Sequence, residues 1–575
     1  MTTVAESIIE ALAQAGIRQV WGVVGDALNP LTDALRRQDG MDWVGVRHEE
    51  AAAFAAGAQA QLTGKIGVCM GTVGPGSIHL LNGLYDAKKS HAPVLAITGQ
   101  VPSAEIGTEY FQEVANDKLF ADVAVFAQAI TSPGQLPHVL EQAVNAAYAR
   151  RGVAVLTLPG DVGDLDLPTG TATARFLPSA VPPTSSPESV ATAAAVLSER
   201  DPAVTLLVGV GAREARQEVL ELADLLAAPM ILTLKAKEGL ERDNPFQIGQ
   251  SGLIGNPSTA TAMDGCDVLM LIGTDFPYRD FYPEGKTVIQ LDIDGSHIGR
   301  RTQVDHVLIG DAKTTLRQLL PALTRRTDRS HLHTCLEEYA GWRASQSALL
   351  DPNHDQSLTG KVRATLDNPD DRIRPEVVAA AIDHNAPEDT IFTSDTGMST
   401  VWLSRFVTMR GTRRLLGSYN LGSMANAMPQ ALGAQALDRT RPVAAFCGDG
   451  GLMMLLGDLR TAVTYQLPVR LIVFNNSRLG MVKLEQEQGG LPEFGTELDN
   501  PDLAAVAAAM GLASRRVTDP NAVDEAVGWA FAQPGPVLLD VVTNPDEIAL
   551  PPQLKVAQAW GFAIAKSTEF LASRT

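Results

Sequence analysis

A chain of 575 residues is too long for one hydrophobic core, and the usual size of a domain divides it into about three or four units. With 66 acidic against 46 basic side chains its net charge is -20, and it carries no Lys/Arg cluster of the kind that phosphate backbones require. A nucleic-acid partner is therefore excluded, and the charge serves solubility.

Residues 4–15 have helical periodicity through Val4, Ile8, Ile9 and Leu12, and Gly16 stops them. A short strand, Val20 to Val24, then opens into the turn Gly25-Asp26. A helix from Leu31 to Arg36, a strand at Val44-Gly45-Val46 and an alanine-rich helix from Glu49 to Gln61 follow. Strands at Ile66 to Met70, Val94 to Thr98 and Val153 to Leu158, with a helix at Ser77 to Lys88, continue the alternation expected of a parallel sheet covered on both faces. Pro182-Pro183-Thr184-Ser185-Ser186-Pro187 reads as a linker. Beyond it a second α/β unit is predicted, with strands at Val204 to Val208, Met230 to Leu234, Val268 to Ile272 and Val288 to Leu291, and a helix at Glu214 to Leu226. A charged, irregular region from Asp351 to Arg374 marks another boundary. The predicted domains are 1–181, 188–350 and 366–545, followed by a tail, 546–575.

Four cysteines, Cys69, Cys266, Cys335 and Cys447, lie far apart with no Cys-x-x-Cys, which argues against disulfides and for a reducing cytoplasm. His331, His333 and Cys335 alternate along a polar stretch with no second cluster at zinc-finger spacing, so no metal is expected there. The first fourteen residues lack the apolar core of a secretory signal, and no run is long enough to span a bilayer.

The first and third units follow one plan. Gly57-Ala58-Gln59-Ala60 precedes a strand ending at Gly71, and His91-Ala92-Pro93-Val94 enters the next strand. Gly433-Ala434-Gln435-Ala436 precedes a strand ending at Gly448, and Leu467-Pro468-Val469 enters the next. The order of elements matches as well as the letters, which predicts duplication: an α/β chain of three doubly wound parallel-sheet domains whose first and third resemble each other.

Within the third unit, the strands Val443 to Cys447 and Val469 to Phe474 end in Gly448-Asp449-Gly450-Gly451 and Asn475-Asn476. A carboxylate, an amide oxygen and glycines admitting close backbone approach suit magnesium and a diphosphate, although Gly-Asp-Gly alone is a common turn. The paired motifs at this separation resemble the thiamine diphosphate signature of the decarboxylase and acetolactate synthase superfamily. The resemblance implies that Asp449, Asn476 and the carbonyl of Arg478 bind the metal, with Gly450, Gly451, Leu479, Gly480 and Met481 at the cofactor.

It extends to the first unit. In Arg47-His48-Glu49-Glu50, Glu49 opens a helix, where it complements the helix dipole in any protein. In the family the Glu after the His bonds N1' of the aminopyrimidine and favours the 4'-imino tautomer that removes the thiazolium C2 proton, and this role falls on Glu49. Gly422-Ser423-Met424 matches the family segment between the two rings. Met424 is then a wedge for the bent cofactor; without the resemblance it reads as core. Asp26 resembles a substrate-facing Asp, or is a turn former. Tyr110-Phe111-Gln112-Glu113 resembles an oxidase loop whose Phe and Gln enter the site, and Glu485 matches an acid near the substrate. Met481 stands where the oxidase pattern often has Phe.

In the middle unit Gly211 and Arg213, Ser251-Gly252-Leu253-Ile254, Thr274-Asp275-Phe276-Pro277-Tyr278 and Asp292 resemble the FAD-binding domain of pyruvate oxidases and pyruvate dehydrogenases (quinone). Asp292 would accept from the adenosine part, and Arg213 with the glycine amides would meet the diphosphate.

The resemblance, from Val20 to Gly561, implies oxidative decarboxylation of pyruvate to acetate and CO2 through thiamine diphosphate, Mg2+ and FAD, with a quinone or, second, oxygen as acceptor. It also implies a homotetramer with active sites between subunits. An acetolactate synthase-like carboligase with structural FAD is the rival, against which Gly480-Met481-Val482-Lys483-Leu484-Glu485 lacks that family's Gln-Trp pair. A cofactor-holding protein without turnover is the third reading. The membrane-regulated relatives carry an extended amphipathic C-terminus. Here residues 553–575, with Trp560, Phe562 and Phe570, read as a short helix packed on its own domain, or as a peripheral anchor at the inner face of the cell membrane.

Overall fold

The structure is a computed structural model that describes residues 2–176, 182–351 and 372–546. The tail, and most of the irregular stretch between the second and third units, lie outside the described residues.

Three parallel sheets make the framework. The first contains β1 (Gln19–Gly22), β2 (Asp42–Gly45), β3 (Gly67–Gly71), β4 (Val94–Gln100), β5 (Ala124–Ala129) and β6 (Val153–Pro159) in the order β2-β1-β3-β4-β6-β5. The second contains β7 (Val204–Val208), β8 (Met230–Leu232), β9 (Val268–Ile272), β10 (Thr287–Asp292) and β11 (His306–Ile309) in the order β11-β10-β9-β7-β8. The third contains β12 (Ile391–Ser394), β13 (Arg414–Gly417), β14 (Val443–Gly448), β15 (Arg470–Asn475), β16 (Ala513–Val517) and β17 (Val537–Val542) in the order β13-β12-β14-β15-β17-β16. Counted from its own first strand, the third sheet repeats the order of the first. The interior strands β3, β4, β6, β7, β9 and β15 are apolar and almost wholly buried, as sheets covered on both faces require.

Several elements depart from the sequence reading. The predicted helix from Ser77 is two helices, Pro75–His79 and Leu81–Lys89. The predicted helix from Glu214 starts as a 3-10 turn, Val210–Ala215, and becomes α-helical at Arg216. The stretch around His331 is a helix, Ser330–Ala348. There His331 Nε2 is 2.9 Å from Thr205 Oγ1, and buried Cys335 has its thiol pushed up to about 12 by desolvation.

The first and third units meet through two helices, Glu49–Thr63 and Ala427–Leu437. Each is rich in small residues and buried along nearly its whole length, and together they share one core. The approach is close enough that a Cβ on Gly433 would lie 2.4 Å from the carbonyl oxygen of Ala55. Polar groups at the seam are paired across it. Gln59 Nε2 donates to the Gly433 carbonyl at 3.1 Å, Gln430 Nε2 to Asp86 at 3.0 Å, the Arg47 N–H to Asp458 at 2.8 Å, and the Gly45 N–H to the Tyr465 hydroxyl at 2.6 Å. The central unit is tied to both neighbours. His91 meets Asp275 at 2.6 Å, and Glu238 receives the guanidinium groups of Arg213 and Arg414.

Candidate active site

In each sheet the chain winds first one way and then the other. The reversal falls between β1 and β3, between β7 and β9, and between β12 and β14. Open α/β sheets bind ligands in the crevice at the carboxyl ends of the strands on either side of such a reversal. The residues singled out in the sequence cluster at these three crevices.

In the third unit, β12 leads into Asp395, and β14 ends at Gly448, from which Asp449 continues. Asp395 accepts the Gly448 N–H at 3.0 Å and the Ala427 N–H at 2.9 Å, so one carboxyl clamps both sides of the crevice. Asp449 is 2% exposed. Burial pushes its carboxyl up to about 6, against the bonds from the Gly450 N–H, Asn500 and the Ser477 N–H. Asp395 is pushed up to about 7, by burial first and by the nearby Asp449 as well. Beside them β15 delivers the two asparagines, and the structure separates their work. Asn475 is fully committed: its amide donates to Asp540 at 2.8 Å, and its oxygen accepts from Asn500. Asn476 is half-buried, its Oδ1 accepting the Arg478 N–H at 3.0 Å. Asn500 bridges the strands by donating to Asp449 at 2.6 Å and to Asn475 at 3.1 Å.

A buried carboxylate disfavoured by desolvation, next to an amide oxygen and a turn carbonyl, is a donor set that fits a hard divalent cation. Around it, Gly450 is hemmed by Leu479, Leu498 and Met424, and a Cβ on Gly451 would strike Asp395. Gly480 packs on Met398 and Asn476. The wedge segment is a tight turn. Gly422 has φ +80°, and Ala425 takes a left-handed φ of 66° while buried. That conformation is costly for a residue with a Cβ, and such outliers gather at sites.

In the first unit Glu49 opens its helix behind the cap His48, whose Nδ1 accepts the Glu50 N–H at 3.3 Å. Glu49 is 7% exposed; its Oε2 lies 2.9 Å from His79 Nδ1, and its Oε1 lies over Gly76. Among the described residues, His48, Glu49 and His79 also bring their donor atoms within 4.8 Å of one another. Thr72 Oγ1, in the same crevice, is buried with no hydrogen-bond partner, as expected of an atom that meets a polar ligand. Asn82 joins the two units, donating to Glu50 at 2.7 Å and to Ser423 Oγ at 2.8 Å. Asp26 is exposed and caps its own turn through the Ala27 N–H at 2.9 Å. Gln112 has φ 66° and lays its carbonyl against Gly74, while Phe111 projects into solvent at 80% exposure.

In the central unit the glycine turns pack backbone to backbone, with the Gly211 N–H donating to the Gly273 carbonyl at 3.0 Å. Gly252, at φ +84°, lies against Phe276 and Tyr278, and Thr274 Oγ1 accepts the Phe276 N–H. Ser251 is buried, Leu253 and Tyr278 are exposed at the rim, and Ile254 and Pro277 are half-buried. Gln250 Nε2, next to this turn, is buried without a partner, which fits a polar ligand there. Three of the acids and bases are already paired: Arg213 with Glu238 and Glu214, Asp275 with His91, and Asp292 with His297. This turn reaches the third unit: Ile254 packs against the core that contains Met398, and Ser404 Oγ donates to Gln250 Oε1 at 3.3 Å.

Comparison with known proteins agrees with this geometry. The thiamine pyrophosphate enzyme models match in all three units: the N-terminal TPP binding domain over residues 2–119, the central domain over 190–319, and the C-terminal TPP binding domain over 395–541. The chain is 37% identical to the putative thiamine pyrophosphate-containing protein YdaP of Bacillus subtilis, over 98% of this chain and 95% of that protein. The chain belongs to the thiamine pyrophosphate enzymes. It is also 31% identical to the pyruvate oxidase of Lactiplantibacillus plantarum, over 94% of this chain and 88% of the relative. With a probable acetolactate synthase large subunit of Methanocaldococcus jannaschii it shares 32% identity, over 95% of this chain and 93% of the relative. A thiamine pyrophosphate enzyme of this lineage thus stands at similar distance from an oxidase and from carboligases.

Sequence reasoning passed over Asp395, Asn500, Thr72, His79 and Asn82. Asp395 carried a signal, since it ends a buried strand just before Thr396-Gly397; the other four act only through neighbours brought from elsewhere in the chain.

Proposed function

We propose that this enzyme oxidatively decarboxylates pyruvate: pyruvate, water and a quinone give acetate, CO2 and the quinol, with FAD carrying the two electrons between. The observation that carries this reading is geometric: Ile254, on the turn assigned to FAD, packs against the third-unit core that contains Met398, the side chain on which Gly480 of the helix following the metal motif packs. A flavin held by that turn would lie beside the reacting end of the thiamine site instead of serving as distant scaffolding. Bound in their crevices, thiamine diphosphate supplies the electron sink for the carbon that loses CO2, and FAD supplies a two-electron acceptor.

The chain's own residues do the rest. Asp449, Asn476 and the Arg478 carbonyl would hold Mg2+, and Gly450 and Gly451 let the turn pack closely against Leu479, Met424 and Asp395. Met424 supports the bend. Glu49 holds a proton at the ring nitrogen of the pyrimidine. Phe111, Gln112, Asp26 and Glu485 are assigned to pyruvate by the family resemblance. Exposed large apolar side chains, among them Phe111 at 80% exposure and Phe494 at 85%, support assembly as a homotetramer that covers them. Among the described residues no helix is long and apolar enough to cross a membrane. Contact with a membrane surface would fall to the tail, outside the described residues.

The test is anaerobic mixing of the FAD- and thiamine-loaded enzyme with pyruvate. The flavin should bleach as acetate and CO2 form, and added quinone should restore its colour. A flavin that stays oxidised while acetolactate accumulates would transfer the assignment to a carboligase.

A further inference from the structure

We infer that His79 is a positioning residue that passes protons between Glu49 and solvent; the inference rests on the thiamine reading of this site. Glu49 is buried at 7% exposure, so an exchangeable proton on its carboxyl needs a route out. Its Oε2 is 2.9 Å from His79 Nδ1, while the His79 side chain is 42% exposed, so one residue spans the distance from the buried acid to water. Imidazole suits this because its two nitrogens exchange donor and acceptor roles: Nδ1 donates to a carboxylate and accepts from a carboxylic acid. The ring is also held in plane. His48 stacks on it with centroids 4.4 Å apart and planes at 23°. His48 is itself fixed, because its Nδ1 accepts the Glu50 N–H and caps the helix. The other oxygen of Glu49, over Gly76, stays available to the pyrimidine.

Two substitutions separate proton transfer from mere support. His79→Asn keeps a side-chain donor of similar reach but cannot relay a proton, and His79→Phe removes both. Two quantities are measured: thiamine diphosphate affinity of the Mg2+-supplied apoprotein, by quenching of intrinsic fluorescence, and C2 hydrogen–deuterium exchange of the bound coenzyme, by acid quench and NMR. For His79→Asn, affinity should stay within about threefold while exchange slows about 10²-fold, the lower end of what general acid–base groups contribute. Added imidazole should restore much of the rate. Wild-type exchange in both variants would overturn the inference. So would affinity and exchange falling in parallel without imidazole rescue, since that marks a purely structural residue. Glu49→Gln distinguishes failure of the underlying reading: if its exchange stays at wild-type rate, the thiamine assignment of Glu49 falls and His79 falls with it.

Discussion

Gly57 and Gly433 occupy matching places in the two Gly-Ala-Gln-Ala segments, and the structure predicts opposite responses to alanine. A Cβ on Gly433 would lie 2.4, 2.7 and 2.9 Å from the backbone oxygen, Cα and carbonyl carbon of Ala55. Backbone cannot rotate away, so the helices must part, and overpacking of this kind costs about 1–3 kcal/mol. Parting also weakens the Gln59 bond to the Gly433 carbonyl, worth about 1 kcal/mol. Alanine returns about 1 kcal/mol of helix preference, which leaves a net destabilisation of about 2 kcal/mol. On Gly57 the nearest atom to a new Cβ is Ala87 Cβ at 3.5 Å, ordinary contact, so the helix term stands nearly alone and Gly57→Ala is neutral or stabilising by up to about 1 kcal/mol. Thermal unfolding followed by circular dichroism reads stability. Coenzyme affinity reads the consequence at the site, because the same seam fixes Ser423 through Asn82. Equal midpoints for the two variants, or a Gly433→Ala protein as stable as the parent, would refute the close-approach argument.

Asp449→Asn keeps the shape of the crevice and removes the charge, so Mg2+-dependent retention of the coenzyme should weaken by at least tenfold in equilibrium dialysis while the unfolding midpoint of the apoprotein holds or rises, since burial disfavours that charge. Asn500→Ala should weaken retention more mildly, through loss of the bridge between Asp449 and Asn475. Glu49→Gln should lower pyruvate consumption by about 10²–10⁴-fold with the fold intact. In the central unit the Asp292 bond raises the His297 pKa, with burial opposing it. A raised histidine stabilises the fold fully below its ordinary value of about 6.5 and loses that contribution as pH rises through the folded value. His297→Gln should therefore flatten the fall in stability of the central unit as pH rises past about 6.5, and an unchanged pH profile would count against the pair.

Most strands that can be read from letters alone are buried on both faces, but the equally buried β12 and β17 are not marked: β12 is only four residues ending in Thr-Ser, and Asp540 interrupts β17. β3 and β9 are unbroken apolar runs, β7 is broken only by the buried Thr205 and β15 is apolar from Leu471 to Phe474, and their predicted limits differ from the observed ones by a residue or so at most. The edge strands β5, β11 and β16 have at most one fully buried position each, because one side faces solvent, and the sequence reading does not mark them. The same holds for the helix carrying His331 and Cys335, whose buried positions are confined to Leu332 and Cys335 among polar neighbours.

For the site, the distinction is between residues assigned to a ligand and residues that hold those in place. Asp449, Asn476 and Glu49 sit at strand ends or a helix start, positions that periodicity locates. The paired asparagines also show how far letters go: Asn475-Asn476 names two candidates, and only the bonds from Asn475 to Asp540 and Asn500 show that the first is buried and structural, while the half-buried second bonds only the nearby Arg478 N–H. Likewise nothing near Glu49 in the chain points to His79, which arrives thirty residues later at the end of the helix Pro75–His79. Duplication explains why both classes exist. Two copies of one sheet order were set side by side, and each kept a crevice at its own reversal point. One crevice carries the buried carboxylate Asp449, which we assign to a cation, and the other the buried Glu49, which we assign to a ring nitrogen. The small-residue helices at the seam hold the two at a constant relation, which is why a single methyl group on Gly433 is expected to be felt at both.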